Sequence, residues 1–174
     1  MKKLFIYLFS LALFSCTPDK ATLLKNIASL ETAFEKKENG KKLDMKAGNE
    51  LFEKYDLFLG NYSKDSLAPI LLFKAGKLAV AINNHTKAIK YLGEFTESYK
   101  DSPDAPQAYL LLGNYYANKV LDLDNAKMTF NAFIDQFPNH PMVKDVKFMV
   151  TTLGKTPDEI LELIQQRNSK QDSL

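Results

Sequence analysis

Two histidines, one cysteine and a short acidic run are the residues of this chain whose types suit metal or nucleophilic chemistry. His85 and His140 have no second histidine or cysteine at ligand spacing, so neither begins a zinc site. Asp122-Leu123-Asp124-Asn125 has the opening of a calcium loop but lacks the glycine and distal glutamate that complete one. It reads instead as a turn in which Asp124 caps the following helix. Gly113-Asn114-Tyr115-Tyr116 is no phosphate loop, because no lysine follows in place and helix packing explains the glycine. No serine or cysteine stands with a plausible base for nucleophilic attack. His85 fits a helix start and His140 a proline-bounded turn, both facing water. The expectation is a protein that is not an enzyme and holds no metal or cofactor.

Cys16 has a different chemistry. Lys2 and Lys3 precede an 11-residue stretch, Leu4 to Phe14, that is apolar except for Ser10. That is short of the roughly 20 residues that span a bilayer, and it suits a secretory signal. The stretch ends in Leu13-Phe14-Ser15-Cys16, which resembles the lipobox of bacterial lipoproteins. The resemblance implies cleavage before Cys16 and acylation of that residue with palmitate-type chains, an anchor far stronger than one acyl chain gives. As Cys16 is the only cysteine, no intrachain disulfide is possible.

Charge narrows the partners. Without Lys2 and Lys3 the chain carries 21 basic and 21 acidic residues, and Arg167 is its only arginine. A neutral surface argues against nucleic acid, whose binding needs cations that displace counterions.

The elements that must position these residues are helices, and they repeat. Leu51, Tyr55, Phe58 and Tyr62 recur 37 residues on as Ala88, Leu92, Phe95 and Tyr99, and 38 residues further as Ala126, Phe130, Phe133 and Phe137. Gly76 and Gly113 are likewise 37 residues apart, each central in an apolar helix that precedes such a row. A period of this size in helical pairs marks a stacked helix-turn-helix solenoid. The spacing predicts helices from about Ala21, with a stripe of Leu24, Ile27, Leu30 and Phe34 closed by a left-handed cap at Gly40, and then from Lys42 to Tyr62. Further helices are expected over Leu67–Ile82, with Asp65 or Ser66 capping and Pro69 in the first turn, and from the Asn83-Asn84-His85 turn to Tyr99. The remaining helices are Pro106–Asn118, Leu123–Phe137, Met142–Leu153 and Pro157–Gln166.

Leu112-Gly113, Tyr116, Ala126, Phe130, Phe133 and Pro138 resemble the tetratricopeptide repeat, with one extra residue between the helices. Ala75-Gly76, Ala79, Ala88, Leu92 and Phe95 match it without that residue. The segment from Asn131 to Val143, with Ser102-Pro103 and Ala105-Pro106-Gln107-Ala108-Tyr109, is similar to the BamD- and YbgF-like envelope repeat family. The fold expected is all-α, a solenoid of about four helix pairs. The domains expected are a lipoprotein signal peptide over 1–15, a lipidated tether over 16–20, the repeat domain over 21–167 and a flexible tail over 168–174.

In tetratricopeptide proteins the first helix of each pair lines a concave groove. Carried onto this chain, the groove positions are Phe73, Lys77 and Val80, then Leu110, Asn114, Ala117 and Asn118. Asn114 and Asn118 lie one turn apart, so both amides can bond a peptide backbone, and Lys77 can meet a carboxylate. Tyr115 is the further exposed candidate, with Tyr116 in the packing position. The resemblance implies an outer-membrane lipoprotein, facing the periplasm, that scaffolds envelope proteins or peptides in outer-membrane protein assembly. Tol-Pal or cell-wall coordination is one alternative, and capture of a small molecule or glycan is another. Partner and oligomeric state stay open, and the first hairpin serves either dimerisation or capping.

Overall fold

The computed structural model describes residues 19–38 and 45–171. The expected signal, Cys16 and the Gly40 cap lie outside them. The described residues form eight α-helices with no strand among them; α1 to α6 stack as three antiparallel pairs, and α7 packs on α6. The expected all-α repeat architecture is therefore the one found.

Helix α1 (Lys20–Glu38) begins at Asp19, whose carboxylate accepts the Thr22 backbone N–H at 3.1 Å and the Thr22 hydroxyl at 2.7 Å. Leu23, Ile27 and Phe34 form its buried stripe, while Leu24 is only half-buried. Helix α2 (Met45–Asn61) answers with Leu51, Phe52, Tyr55 and Phe58, all buried. The turn after it is closed by Asp65, which accepts the Leu67 N–H at 2.9 Å, and α3 (Ala68–Ala81) then starts with Pro69 in its first turn. Asn84 caps α4 (His85–Ser98) by accepting the Lys87 N–H.

The third pair differs. Helix α5 (Ala105–Tyr115) passes directly into a π-helical turn, Tyr116–Val120. Gly76 and Ala88 are 12 residues apart but Gly113 and Ala126 are 13 apart. The wide turn takes up that extra residue inside the helix. The chain then reverses at Leu121, in the left-handed region at φ 60°, where the second pair has Asn83 at φ 58°. Helix α6 (Leu123–Gln136) is capped by Asp122, which accepts the Asn125 N–H at 3.0 Å; the cap was expected at Asp124, which is the second residue of the helix. Helices α7 (Val143–Thr152) and α8 (Pro157–Gln171) close the stack, α8 starting from a reciprocal Thr156–Glu159 capping box and continuing five residues past its expected end.

Small residues set the spacing. A methyl group on Gly76 would fall 2.6 Å from Leu92, and one on Gly113 would fall 2.5 Å from Phe130, so in both pairs the first helix receives a large apolar side chain of the second. Aromatic contacts run along this interior, Phe73 to Phe95 at 5.2 Å, Phe95 to Tyr99 at 5.6 Å and Tyr109 to Phe137 at 5.8 Å. The Tyr109 hydroxyl donates to the Thr96 carbonyl, joining the second pair to the third. Burial then declines toward the end: α7 buries Val146, and α8 buries no residue among those described.

A polar network clamps α2 to α4. The Asp56 carboxylate accepts the Tyr91 hydroxyl at 2.7 Å and Lys87 at 3.1 Å, with Lys90 at 3.4 Å. Lys87 also lies over the Phe52 ring at 4.7 Å. Burial works against the Asp56 charge, but the bonds from Tyr91 and Lys87 and the charges of Lys87 and Lys90 hold its pKa below the usual carboxylate range. Burial, and then the bond to Asp56, push the Tyr91 phenol far up.

Candidate binding groove

Four of the seven expected groove positions, Lys77, Asn114, Ala117 and Asn118, line two clefts, while Phe73, Val80 and Leu110 line neither. The first, about 230 Å³, lies between α1, α2 and α3 and is lined by Lys77 with Glu31, Phe34, Leu51, Tyr55 and Lys74. Its wall is cross-braced by Glu31, which accepts the Tyr55 hydroxyl at 2.6 Å and Lys74 at 2.7 Å. Lys77 is exposed and its ammonium lies 4.8 Å from the centre of the Phe73 ring. Phe73 itself is buried against Phe95, so it supports Lys77 from beneath instead of contacting a ligand. Val80 is half-buried and packs on the main core.

The second cleft, about 310 Å³, lies where α5 and its π turn face α6, α7 and the start of α8. Asn114, Ala117 and Asn118 line it together with Met149, Leu153 and Lys155. Leu110 is half-buried and packs on the smaller core behind. The two asparagines are oriented by their own helix. Asn114 Nδ2 donates to the Leu110 carbonyl at 2.8 Å and Asn118 Nδ2 to the Asn114 carbonyl at 3.0 Å. One amide hydrogen of each is thus spent on the backbone, leaving its second hydrogen and its oxygen for a partner. With each nitrogen held toward a carbonyl, the side-chain oxygens are the natural acceptors for an incoming N–H.

Tyr115 is not an exposed candidate. It is buried, its hydroxyl 3.0 Å from Nδ1 of His85 on the preceding pair, while Tyr116 is only half-buried. Tyr115 stands where Leu78 stands in the second pair, two residues after the glycine and also buried, and Tyr116 packs on both cores as expected. The two histidines likewise have partners. His85 meets Tyr115, and His140 lies edge-on to Phe133 at 5.3 Å and accepts the Met142 N–H at its Nδ1.

Sequence reasoning missed the far walls of both clefts. Glu31 and Phe34 were hidden because the leading helix has no glycine to count from, and Lys74, on α3 one turn before Lys77, enters the wall through its bond to Glu31. Met149, Leu153 and Lys155 belong to the closing pair, where the repeat pattern has faded. The Gly154 turn there, at φ 73°, was the available signal. Among the described residues no group of three or more His, Cys, Asp or Glu side chains is placed to hold a metal ion. No helix among them is long and apolar enough to cross a membrane.

A stack of antiparallel helix pairs with clefts along its first helices is a tetratricopeptide-type repeat protein. A family model described as YfiO, outer membrane lipoprotein, matches residues 66–173, and the chain belongs to that family. The match starts at the turn before α3, so it leaves out the first pair, where the repeat pattern is weakest. Family membership carries an envelope location. No curated protein matches the chain.

Proposed function

We propose that this protein is a lipid-anchored periplasmic scaffold that holds other envelope proteins through its helical-repeat clefts, in the service of outer-membrane protein assembly. In this reading residues 1–15 are a signal peptide, Cys16 carries the acyl chains and the helical stack is the working part; the tether shortens from the expected 16–20 to 16–18, because Asp19 caps α1 and Lys20 begins it. The protein performs no chemistry of its own. The observation that carries the reading is the second cleft. There the π turn, a feature that recurs at functional sites, sets Asn114, Ala117 and Asn118 beside the apolar Met149 and Leu153. Amide oxygens beside apolar side chains in a largely polar cleft suit a peptide segment, whose backbone supplies N–H donors.

The test is crosslinking in intact cells, followed by affinity purification of the full-length lipoprotein and mass spectrometry. A Lys77→Ala, Asn114→Ala, Asn118→Ala variant is run beside the wild type. Envelope assembly proteins recovered with the wild type and lost with the variant are the expected result. No protein partner above background would remove the scaffold reading.

A further inference from the structure

We propose that the first helix pair stands with one defined edge against the membrane. The start of α1 and the turn between α2 and α3 face the lipid headgroups, and the turn between α3 and α4 faces away. This rests on the lipid anchor at Cys16 proposed above.

Reach comes first. Only Thr17 and Pro18 separate Cys16 from Asp19, the residue that caps α1. Three residues of fully extended chain span at most about 11 Å. Helix α3, at 14 residues, is roughly 21 Å long. A lipid on Cys16 therefore holds the start of α1 within half a helix length of the bilayer surface.

The start of α1 is itself fixed to the rest of the pair. Lys20, the first helical residue, makes an ion pair with Asp65, and Asp65 closes the turn into α3 by accepting the Leu67 N–H. The point where the tether enters the fold is thus bound to the turn from which α3 departs, and it does not swing as a separate arm. Antiparallel order then settles the rest. The start of α1, the end of α2 and the start of α3 share this edge, and the Asn83-Asn84 turn lies one helix length from it.

The test uses the full-length lipoprotein, purified from membranes and reconstituted into phosphatidylethanolamine–phosphatidylglycerol vesicles that contain a headgroup-linked quencher. Because Cys16 is the only native cysteine, a fluorophore can be placed at Lys64→Cys on the near turn or Thr86→Cys on the far one, both exposed positions. Ser66→Cys repeats the near measurement. The expected result is severalfold stronger quenching at positions 64 and 66 than at 86. Equal quenching at both edges of an acylated protein would overturn the proposal while leaving the anchor intact. Wild-type protein that takes up the thiol dye at Cys16 would instead remove the anchor itself, and with it this inference. A flexible insert of about 12 Gly/Ser residues between Pro18 and Asp19 should erase the difference; a difference that survives it would overturn the tether as its cause.

Discussion

The ring of Phe130 lies against the backbone of Gly113, leaving no room for a side chain: a methyl group there would fall 2.5 Å from Cε1 and 2.7 Å from Cδ1. Phe130 is buried, so moving its ring aside would disturb the packing around it. Gly113→Ala is expected to lower stability by about 1–3 kcal/mol, the usual cost of overpacking. Urea denaturation of the two proteins measures it, and an unchanged midpoint would mean that the third pair repacks freely.

Gly93 is the control. It sits inside α4 with nothing within 4 Å of where a methyl group would be. Here alanine removes the backbone entropy cost of glycine without a clash, so Gly93→Ala should raise stability by about 0.5–1 kcal/mol. Opposite signs at positions 93 and 113, in the same denaturation series, separate packing from propensity.

Leu121 holds a left-handed conformation while 75% exposed, so its side chain gains little to offset the backbone cost. The equivalent turn in the second pair uses Asn83. Leu121→Asn should stabilise by about 1 kcal/mol, since asparagine visits this region more readily. A loss of stability on that change would show that the leucine has a packing role absent from this structure.

The Asp56 cluster sets an acid limit. Its carboxyl has a lowered pKa in the folded protein, so the stability it contributes is present above the unfolded value, near about 3.9, and is lost as pH falls through the folded value. Asp56→Asn should therefore flatten the fall of the melting temperature below about pH 4 relative to wild type. At neutral pH the same variant should melt lower, because Lys87 and Lys90 lose their counter-charge. Parallel melting curves from pH 3 to 7, offset by a constant, would rule out the linkage.

Helix α8 should open on its own. It buries no described residue, and its Leu161 is 53% exposed, whereas α3 and α4 each bury at least five side chains. Backbone amides of Pro157–Gln171 are expected to exchange with solvent well before those of α3 to α6, and limited proteolysis should cut first near Gly154–Thr156. Exchange as slow in α8 as in α4 would contradict this.

Which of these features a reader of the sequence can find depends on where their physical cause lies. Gly76 and Gly113 mark the tight crossings because only a missing side chain permits them, and Ala88 and Ala126 repeat at the same places. The helices follow from that pattern to within a few residues. The burial of Tyr115 does not, because its partner His85 lies on the preceding pair, 30 residues away in the chain. Asp122 and Asp124 are both good caps, and the choice depends on where the π turn releases the chain. Phe73 occupies a groove position, yet its ring goes inward to Phe95 because an aromatic gains more from burial than from lining a cleft. The paired walls of each cleft come from helices distant in the chain, a proximity that no local pattern records.

The π turn at Tyr116–Val120 has a consequence for how such a protein tolerates change. One additional residue in a straight α-helix would rotate everything after it by about 100° and turn α6 away from its partners. Here the addition is confined to a single wide turn, and Phe130 and Phe133 arrive in the orientation that Leu92 and Phe95 have one pair earlier. The helix behaves as a length compensator: an insertion or deletion within one pair need not be answered by changes in the next.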